Sequence, residues 1–384
     1  MDFSFTSDQI LIRDTVRQFM ETEMRPVIRD YERAEKFPAE EIRRLGALGC
    51  CGMLVPGEWG GTGADTVSYV LMLEEAARVD ASTAVALSVT NSLAAVPIWK
   101  HGTPAQKEKY LRRLASGEIL GCFCLTEPQA GSDAAGIQAR ANAEGHDYVL
   151  NGTKTWVTNG GVSGVYLVFA KTDAAAGARG VTGFLIEPSF RGFRVGRYED
   201  KMGLRLSRSA EIVFENCRVP AENRLGEEGQ GLKIALESLD GGRVGIAAQA
   251  VGLAQGALEA AVRHARQRRT FGKPLAEHQA IQFMLADMDT EIEAARMLTL
   301  SAAYQRDVNP ASRAGAHASR AKLYASEMAN RVAYKAVQIH GSTGYSRETD
   351  VERFYRDARV LTIYEGTSEM QRLIIARDLL GQQH

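Results

Sequence analysis

Residues 148–157 read Tyr148-Val149-Leu150-Asn151-Gly152-Thr153-Lys154-Thr155-Trp156-Val157. Aromatic and β-branched residues flank an Asn-Gly pair, the favoured two-residue turn between antiparallel strands. The stretch predicts a hairpin. Val165–Phe169 and Val181–Ile186 predict further strands, and Glu211–Glu215 alternates polar with apolar side chains. From Gly121 to about Gly226 the chain therefore reads as short strands and turns, the texture of a small antiparallel sandwich or barrel.

On either side the period becomes helical. Thr6 with Gln9 fits a capping box, and Ile12, Val16, Phe19 and Met20 then share one helix face. Pro38 opens a helix that Gly49 can close, and Asp65 can cap the next. Residues 81–96 are small and apolar, as in a buried helix that Pro97 interrupts. Thr103-Pro104 starts another helix, with Gly117 after it. Beyond Gly231, Ile246, Ala250, Leu253 and Ala257 repeat at helical spacing. Residues 278–307 and 312–340 read as long helices of a bundle. The expected layout is α+β: a helical domain over 1–120, a β domain over 121–226 and a helical bundle over 227–384.

Composition narrows the function classes. The 384 residues are 45% hydrophobic and 24% charged, ordinary globular usage. With 46 Lys+Arg against 47 Asp+Glu the net charge is −1, so neither nucleic acid nor an anionic membrane is an expected partner. The 5 Cys fall at 50, 51, 122, 124 and 217, without metal-type spacing, which fits a reducing compartment. No metal site is expected. The N-terminus lacks a secretory pattern, and no apolar run reads as long enough to span a bilayer. A cytoplasmic protein is expected.

Several stretches could carry chemistry. In Tyr364-Glu365-Gly366-Thr367-Ser368-Glu369, a carboxylate precedes a glycine and two good helix N-caps. Glu365 should sit on a turn at a helix N-terminus, where free N–H groups suit a base beside an oxyanion. Alone, it would read as a surface acid. Residues 122–136, Cys122-Phe123-Cys124-Leu125-Thr126-Glu127-Pro128-Gln129-Ala130-Gly131-Ser132-Asp133-Ala134-Ala135-Gly136, run from a strand into a loop able to bond a flat polar ring or a phosphate, or simply a capped turn. Trp156 could cover a ring face or fill the core. Arg268 and Phe271 suit a pyrophosphate and an adenine, or a solvated helix end. Gly341 and Gly344 break a helix and allow close backbone approach, while His340 lies among apolar residues and reads as structural. Gly226–Gly231 lacks the spacing of a nicotinamide site, and no P-loop or nucleophile elbow occurs.

Together these segments resemble the acyl-CoA dehydrogenase family over the whole chain. One signature segment is Cys124–Gly136. The other runs from Gln338 through Gly341, Ser342, Gly344, Tyr345, Glu348 and Arg353 to Asp357. The resemblance implies an N-terminal helical domain, a middle β-barrel, a C-terminal four-helix bundle and non-covalent FAD. Phe123, Cys124, Leu125, Thr126, Gly131 and Ser132, with Trp156, Val157 and Thr158, match segments around the flavin ring and ribityl chain. Arg268, Phe271 and Gln279 match residues that reach a neighbouring subunit's FAD. Gln338, Ile339, His340, Gly341 and Ser342 match the adenosine and pyrophosphate end. Thr367, Ser368 and Glu369 match further FAD contacts. Ser132, Asp240, Arg243, Tyr364 and Gly366 match acyl-CoA contacts.

Glu365 matches the family's catalytic base. Some members carry the base on the helix near Arg243, but Gly242 cannot serve, so the resemblance points to Glu365. It implies α-proton abstraction by the carboxylate, hydride transfer to the flavin, and a carbonyl held by the Glu365 N–H and a ribityl hydroxyl. The product would be a trans-2-enoyl-CoA, and an electron-transfer flavoprotein would take the electrons. Shared cofactor sites imply a homotetramer, a dimer of dimers. The stretches around residues 239–259 and 363–380 look most like short-chain (butyryl) and short branched-chain members, in fatty-acid or branched amino-acid breakdown. Competing readings are a medium-chain member, an acyl-CoA oxidase, a nitroalkane-oxidase-like enzyme (normally Asp at the base position) and a non-enzymatic helical scaffold.

Overall fold

The computed structural model describes residues 4–309 and 315–381. Helix α1 (Ser7–Phe19) starts as the pattern predicts: Thr6 Oγ1 accepts from the Gln9 N–H at 3.2 Å, and Gln9 Oε1 accepts from the Thr6 N–H at 3.0 Å. A π-type turn (Met20–Met24) leads to α2 (Ile28–Ala34) and α3 (Ala39–Ala47). Asp65 caps α4 (Thr66–Val79), accepting from the Ser68 N–H at 2.7 Å. Asp80 caps α5 (Ala81–Ser88), which runs through a π-type segment (Val89–Ala95) into α6 (Val96–His101). Pro97 does not interrupt this run. It lies in the first turn of α6, where the missing N–H is tolerated. Helix α7 (Pro104–Ala115) begins with a second capping box, Thr103 with Gln106.

One expectation is corrected here. Ala81–His101, 21 residues with mean hydropathy 1.4, is long and apolar enough to cross a membrane, but its apolar window is wholly buried inside the protein. It is a core element, packed against the sheet on one side and the long C-terminal helices on the other.

The middle of the chain forms β1 (Gly121–Cys124), β2 (Arg140–Glu144), β3 (Asp147–Thr158), β4 (Val165–Lys171), β5 (Val181–Ile186), β6 (Phe193–Tyr198), β7 (Ser209–Pro220) and β8 (Arg224–Leu225). They make one sheet in the order β6-β7-β3-β2-β4-β5-β8, with β1 against β4. Most neighbours are antiparallel. The β1–β4 and β2–β4 contacts are parallel, which the short-strand reading did not foresee.

The hairpin expected at Asn151-Gly152 is not there. Residues 147–158 are one strand, paired with β7 along its length, and the register shifts between Leu150 and Gly152. Asn151 and Asn216 stitch the bulge: Asn151 Oδ1 accepts from the Asn216 N–H at 2.7 Å. Gly152 serves close approach, since a Cβ there would stand 2.6 Å from the Ala139 Cβ. The true turn is Gly145-His146, between β2 and β3, with Gly145 at φ +66°. A long partner strand outweighs a local turn preference.

The C-terminal part comprises α8 (Gly231–Gln267), a two-stranded ribbon β9 (Arg269–Thr270) and β10 (Lys273–Pro274), α9 (Gln279–Val308), α10 (Gly315–His340), α11 (Asp350–Ala358) and α12 (Ser368–Leu379). Residues 312–314 of the helix expected over 312–340 lie outside the described residues. Small side chains let the backbones close up. At Gly252 and Gly256 of α8 an added Cβ would lie 2.1 and 2.3 Å from the Glu74 and Arg78 carbonyl oxygens of α4. The largest apolar cluster runs from α1 and α4 through α8 to α10 and α11, so the N- and C-terminal helices share one core.

Candidate active site

The turn before α12 carries Glu365. Glu365 (φ +51°) and Gly366 (φ +91°) are both left-handed, and Thr367 then caps the helix through Oγ1, accepting from the Met370 N–H at 3.3 Å. A left-handed non-glycine residue costs on the order of 1–3 kcal/mol and persists where neighbours hold it. Gln371 Nε2 donates to the Glu365 and Gly366 carbonyls at 3.3 and 2.9 Å, and Lys322 Nζ donates to the Gly366 carbonyl at 2.7 Å. Gln371 and Lys322 are both fully buried. No hydrogen bond among the described residues occupies the Glu365 N–H.

Glu365 Oε2 is buried and has no hydrogen-bond partner among the described residues. Part of the residue stays accessible, but the carboxyl follows its buried oxygen. Burial pushes its pKa up to about 7, against the pull of Lys322 and Arg243. Helix α8 forms the facing wall with its glycines. A Cβ on Gly242 would lie 2.1 Å from Glu365 Oε2 and 3.1 Å from Leu93 Cδ2. Next to it, Arg243 is buried and donates through Nη1 to Asp240, while its Nε has no partner. The Tyr364 hydroxyl donates to Gln249 Oε1, and Gln249 Nε2 donates to the Ala81 carbonyl at 2.7 Å. Tyr364, Glu365, Gly366, Asp240 and Arg243 thus come together, as the sequence reading required.

A second cluster forms where β1 meets β3. Lys154, fully buried, donates to Glu127 Oε1 at 2.7 Å and to the Leu125 carbonyl at 3.0 Å. The Glu127 carboxylate also accepts from the Gln138 and Ala139 N–H groups at 2.6 and 3.0 Å. The Thr155 N–H donates to the Thr126 carbonyl at 2.9 Å. These bonds clamp the loop after β1, with Phe123, Cys124, Leu125 and Thr126, onto the strand carrying Trp156, Val157 and Thr158. Trp156 is no core residue. It sits at φ +58° in the register shift between Lys154 and Val157, and it is 59% exposed. The bulge turns an indole outward that the strand alternation would otherwise place differently. Gly131 and Ser132 lie on the exposed part of the same loop.

The π-type segment joins the two clusters. A Cβ on Gly121 of β1 would touch the Ala94 Cβ at 2.2 Å, while Leu93 faces Gly242 of α8. Asn159 adds bonds to the Ala86 and Gly121 carbonyls at 3.1 and 3.2 Å.

The remaining expected site residues lie apart. Arg268, Phe271 and Gln279 are exposed around the ribbon after α8, and Phe271, 96% exposed, forms its tip with Gly272. Gln338, Gly341 and Ser342 are exposed at the end of α10, while Ile339 is buried. His340 donates through Nδ1–H to the Ala336 carbonyl at 2.8 Å and stacks on His264 at 4.2 Å between centroids, a structural placement. Ser368 is buried and Glu369 exposed. All five cysteines are buried and unpaired, and no cluster suited to a metal ion occurs among the described residues. Sequence reasoning missed Lys322, Gln371 and Gln249. Each lies in an alanine-rich or mixed helix, with no local sign of which face closes on the Glu365 turn.

Three family models match the chain in order: the acyl-CoA dehydrogenase N-terminal domain over residues 6–118, the middle domain over 122–217 and the C-terminal domain over 229–380. The chain belongs to the acyl-CoA dehydrogenase family, a family of oxidoreductases. It is 45% identical to a short-chain specific acyl-CoA dehydrogenase of Clostridium acetobutylicum, over 98% of this chain and 99% of that protein. The butyryl-CoA dehydrogenase structure from Megasphaera elsdenii superposes with a TM-score of 0.96 at 46% identity, covering 99% of this chain and 100% of the other. A glutaryl-CoA dehydrogenase from Mycobacterium smegmatis, solved in complex with FADH2, gives a TM-score of 0.93 at 34% identity, covering 98% and 95%.

Proposed function

We propose that the chain oxidises short acyl-CoA thioesters between the α and β carbons, using FAD, with Glu365 as the base. The observation that carries this reading is the buried, unpartnered Oε2 of Glu365, on a carboxyl pushed up to about 7. A base titrating near neutral pH is well matched to taking a proton from a weak carbon acid. The Glu365 N–H, unoccupied among the described residues, would donate to a thioester carbonyl and stabilise charge developing there. Arg243, Asp240, Ser132, Tyr364 and Gly366 are the proposed acyl-CoA contacts.

The chain's residues fit a flavin. An exposed indole held in left-handed backbone, a loop clamped beside it and a second loop at the end of α10 offer a ring face and polar donors. Phe123–Thr126, Gly131, Ser132, Trp156–Thr158 and Thr367–Glu369 would hold its ring and ribityl end. Gln338–Ser342 would hold the adenosine end, with Arg268, Phe271 and Gln279 serving a neighbouring copy. FAD, when bound, accepts the β-hydrogen as hydride. The glycine wall of α8 and the buried Leu93 close one side of the Glu365 carboxyl. The proposed domains are 1–120, 121–226 and 227–384, assembled as a homotetramer, and an electron-transfer flavoprotein is the proposed electron acceptor.

A short acyl chain is supported by what fills the space along α8. One turn beyond Gly242, a Cβ on Gly245 would meet Ser88 Oγ at 2.5 Å, the Tyr69 hydroxyl at 2.8 Å and Leu73 Cδ1 at 3.2 Å. The helix is close-packed against α4 and α5 at this point. Each methylene a closed apolar pocket admits or rejects shifts discrimination by roughly 1–3 kcal/mol. The purified protein should be yellow, and kcat/KM should be highest at about four to six acyl carbons. A preference for palmitoyl-CoA, or a colourless protein that cannot take up FAD, would overturn the reading.

A further inference from the structure

One buried cation beside the base has no part in the chemistry so far. Lys322 lies two turns into α10 and is fully buried. Its ammonium donates to the Gly366 carbonyl at 2.7 Å, one peptide beyond the base. No carboxylate is within salt-bridge distance of it among the described residues. A buried lysine without a paired carboxylate is costly, so this one needs a reason to be kept. Its placement supplies one. The ammonium fixes the left-handed Glu365-Gly366 turn and sets a positive charge behind the carboxylate that must ionise.

We propose that Lys322 is a positioning residue for the base: it holds the Glu365-Gly366 turn in its left-handed form and lets Glu365 ionise at neutral pH. This rests on Glu365 being the base. The groups around Glu365 are few. Lys322 reaches it from α10, Arg243 from α8 and Tyr69 from α4, with Tyr364 adjacent in sequence. Around Lys322 itself lie Arg243, Glu327 of α10 and Glu369 of α12. Arg306 of α9 packs at Gly241 of α8 and its charge also reaches Tyr69, one shell behind Glu365. Arg243 is paired with Asp240, so much of its charge is spent there. Of the two cations that act directly on Glu365, Lys322 is the one with no carboxylate within salt-bridge distance among the described residues. Burial pushes its pKa down to about 8, against the pull of Glu365.

The test is the pH dependence of flavin reduction by butyryl-CoA in the full-length holoenzyme, for Lys322→Met and Lys322→Arg. Removing an adjacent opposite charge raises a carboxyl pKa by about one unit or more. Lys322→Met should move the ascending limb of kcat/KM up by about one pH unit, and Lys322→Arg should restore it to within about half a unit. A second readout needs no turnover. The unfolding free energy of each protein minus that of its Glu365→Gln counterpart, followed against pH, reports the folded pKa of residue 365. Its upper bend, where the difference stops changing with pH, should move up in Lys322→Met by the same amount. If Lys322→Met does not fold, Lys322→Gln removes the charge while keeping a polar side chain, and the same shift is expected. A wild-type ascending limb and a wild-type upper bend in the uncharged variants overturn the Lys322 role, even where activity falls. Wild-type activity in Glu365→Gln would instead overturn the base assignment.

Discussion

Glu365 combines two costs that a residue without a task would shed: a left-handed backbone and a carboxyl oxygen buried without a partner. Both have consequences for stability. Its folded pKa, about 7, lies above the ordinary 4.5, so folding favours the protonated carboxyl. Below about pH 4.5 the group is protonated in both states and costs nothing. Above about pH 7 it is ionised in both, and the folded state carries the full penalty. Glu365→Gln should therefore stabilise the protein at pH 8 by about 1–3 kcal/mol and leave it unchanged at pH 4. Urea unfolding at the two pH values measures this, and equal gains at both would contradict the electrostatic account. At this scale Glu365 was legible as a candidate base only through the family resemblance, since a carboxylate before Gly-Thr-Ser alone reads as a surface acid. Lys322 was not legible. Its role depends on α10 and the turn meeting across 44 residues, and nothing local announces that.

Elements were legible where local chemistry decides them. The capping boxes at Thr6 and Thr103 and the cap at Asp65 start helices where the sequence places them. Elements were misread where a distant partner decides. Asn151-Gly152 looks like a turn, yet β7 offers a ladder on both sides of it, and the pair becomes a bulge. Trp156 likewise could not be told from a core residue until its bulge was seen. The clamp behind Trp156 gives the prediction at this scale. Lys154 and Glu127 form a buried pair, and removing one partner leaves the other charged and unmatched. Lys154→Met should destabilise the protein by about 3–5 kcal/mol. It should also loosen the loop from Leu125 to Glu127 and lower the flavin retained per chain. Denaturation together with the ratio of visible to ultraviolet absorbance checks both. Full flavin retention in a destabilised variant would separate the clamp from the cofactor.

Across the whole molecule, the three-part layout was readable from composition and period, and the family models match it in order. What one chain cannot show is the use of Phe271, whose ring projects into solvent at the tip of a short ribbon. If Arg268, Phe271 and Gln279 serve a neighbour's FAD, cofactor and assembly are linked by mass action. Arg268→Ala should then weaken FAD retention and lower oligomer stability together, as followed by flavin absorbance and sedimentation. Unchanged values of both would rule out the shared site. The central claim remains the base, and one measurement tests it most directly: anaerobic bleaching of the flavin on mixing Glu365→Gln with butyryl-CoA. Gln keeps the shape, the backbone N–H and the FAD contacts and removes only the proton acceptor. General-base contributions are typically about 10²–10⁴-fold, so bleaching should slow by at least about 10²-fold with FAD still bound. Bleaching at the wild-type rate would contradict the account.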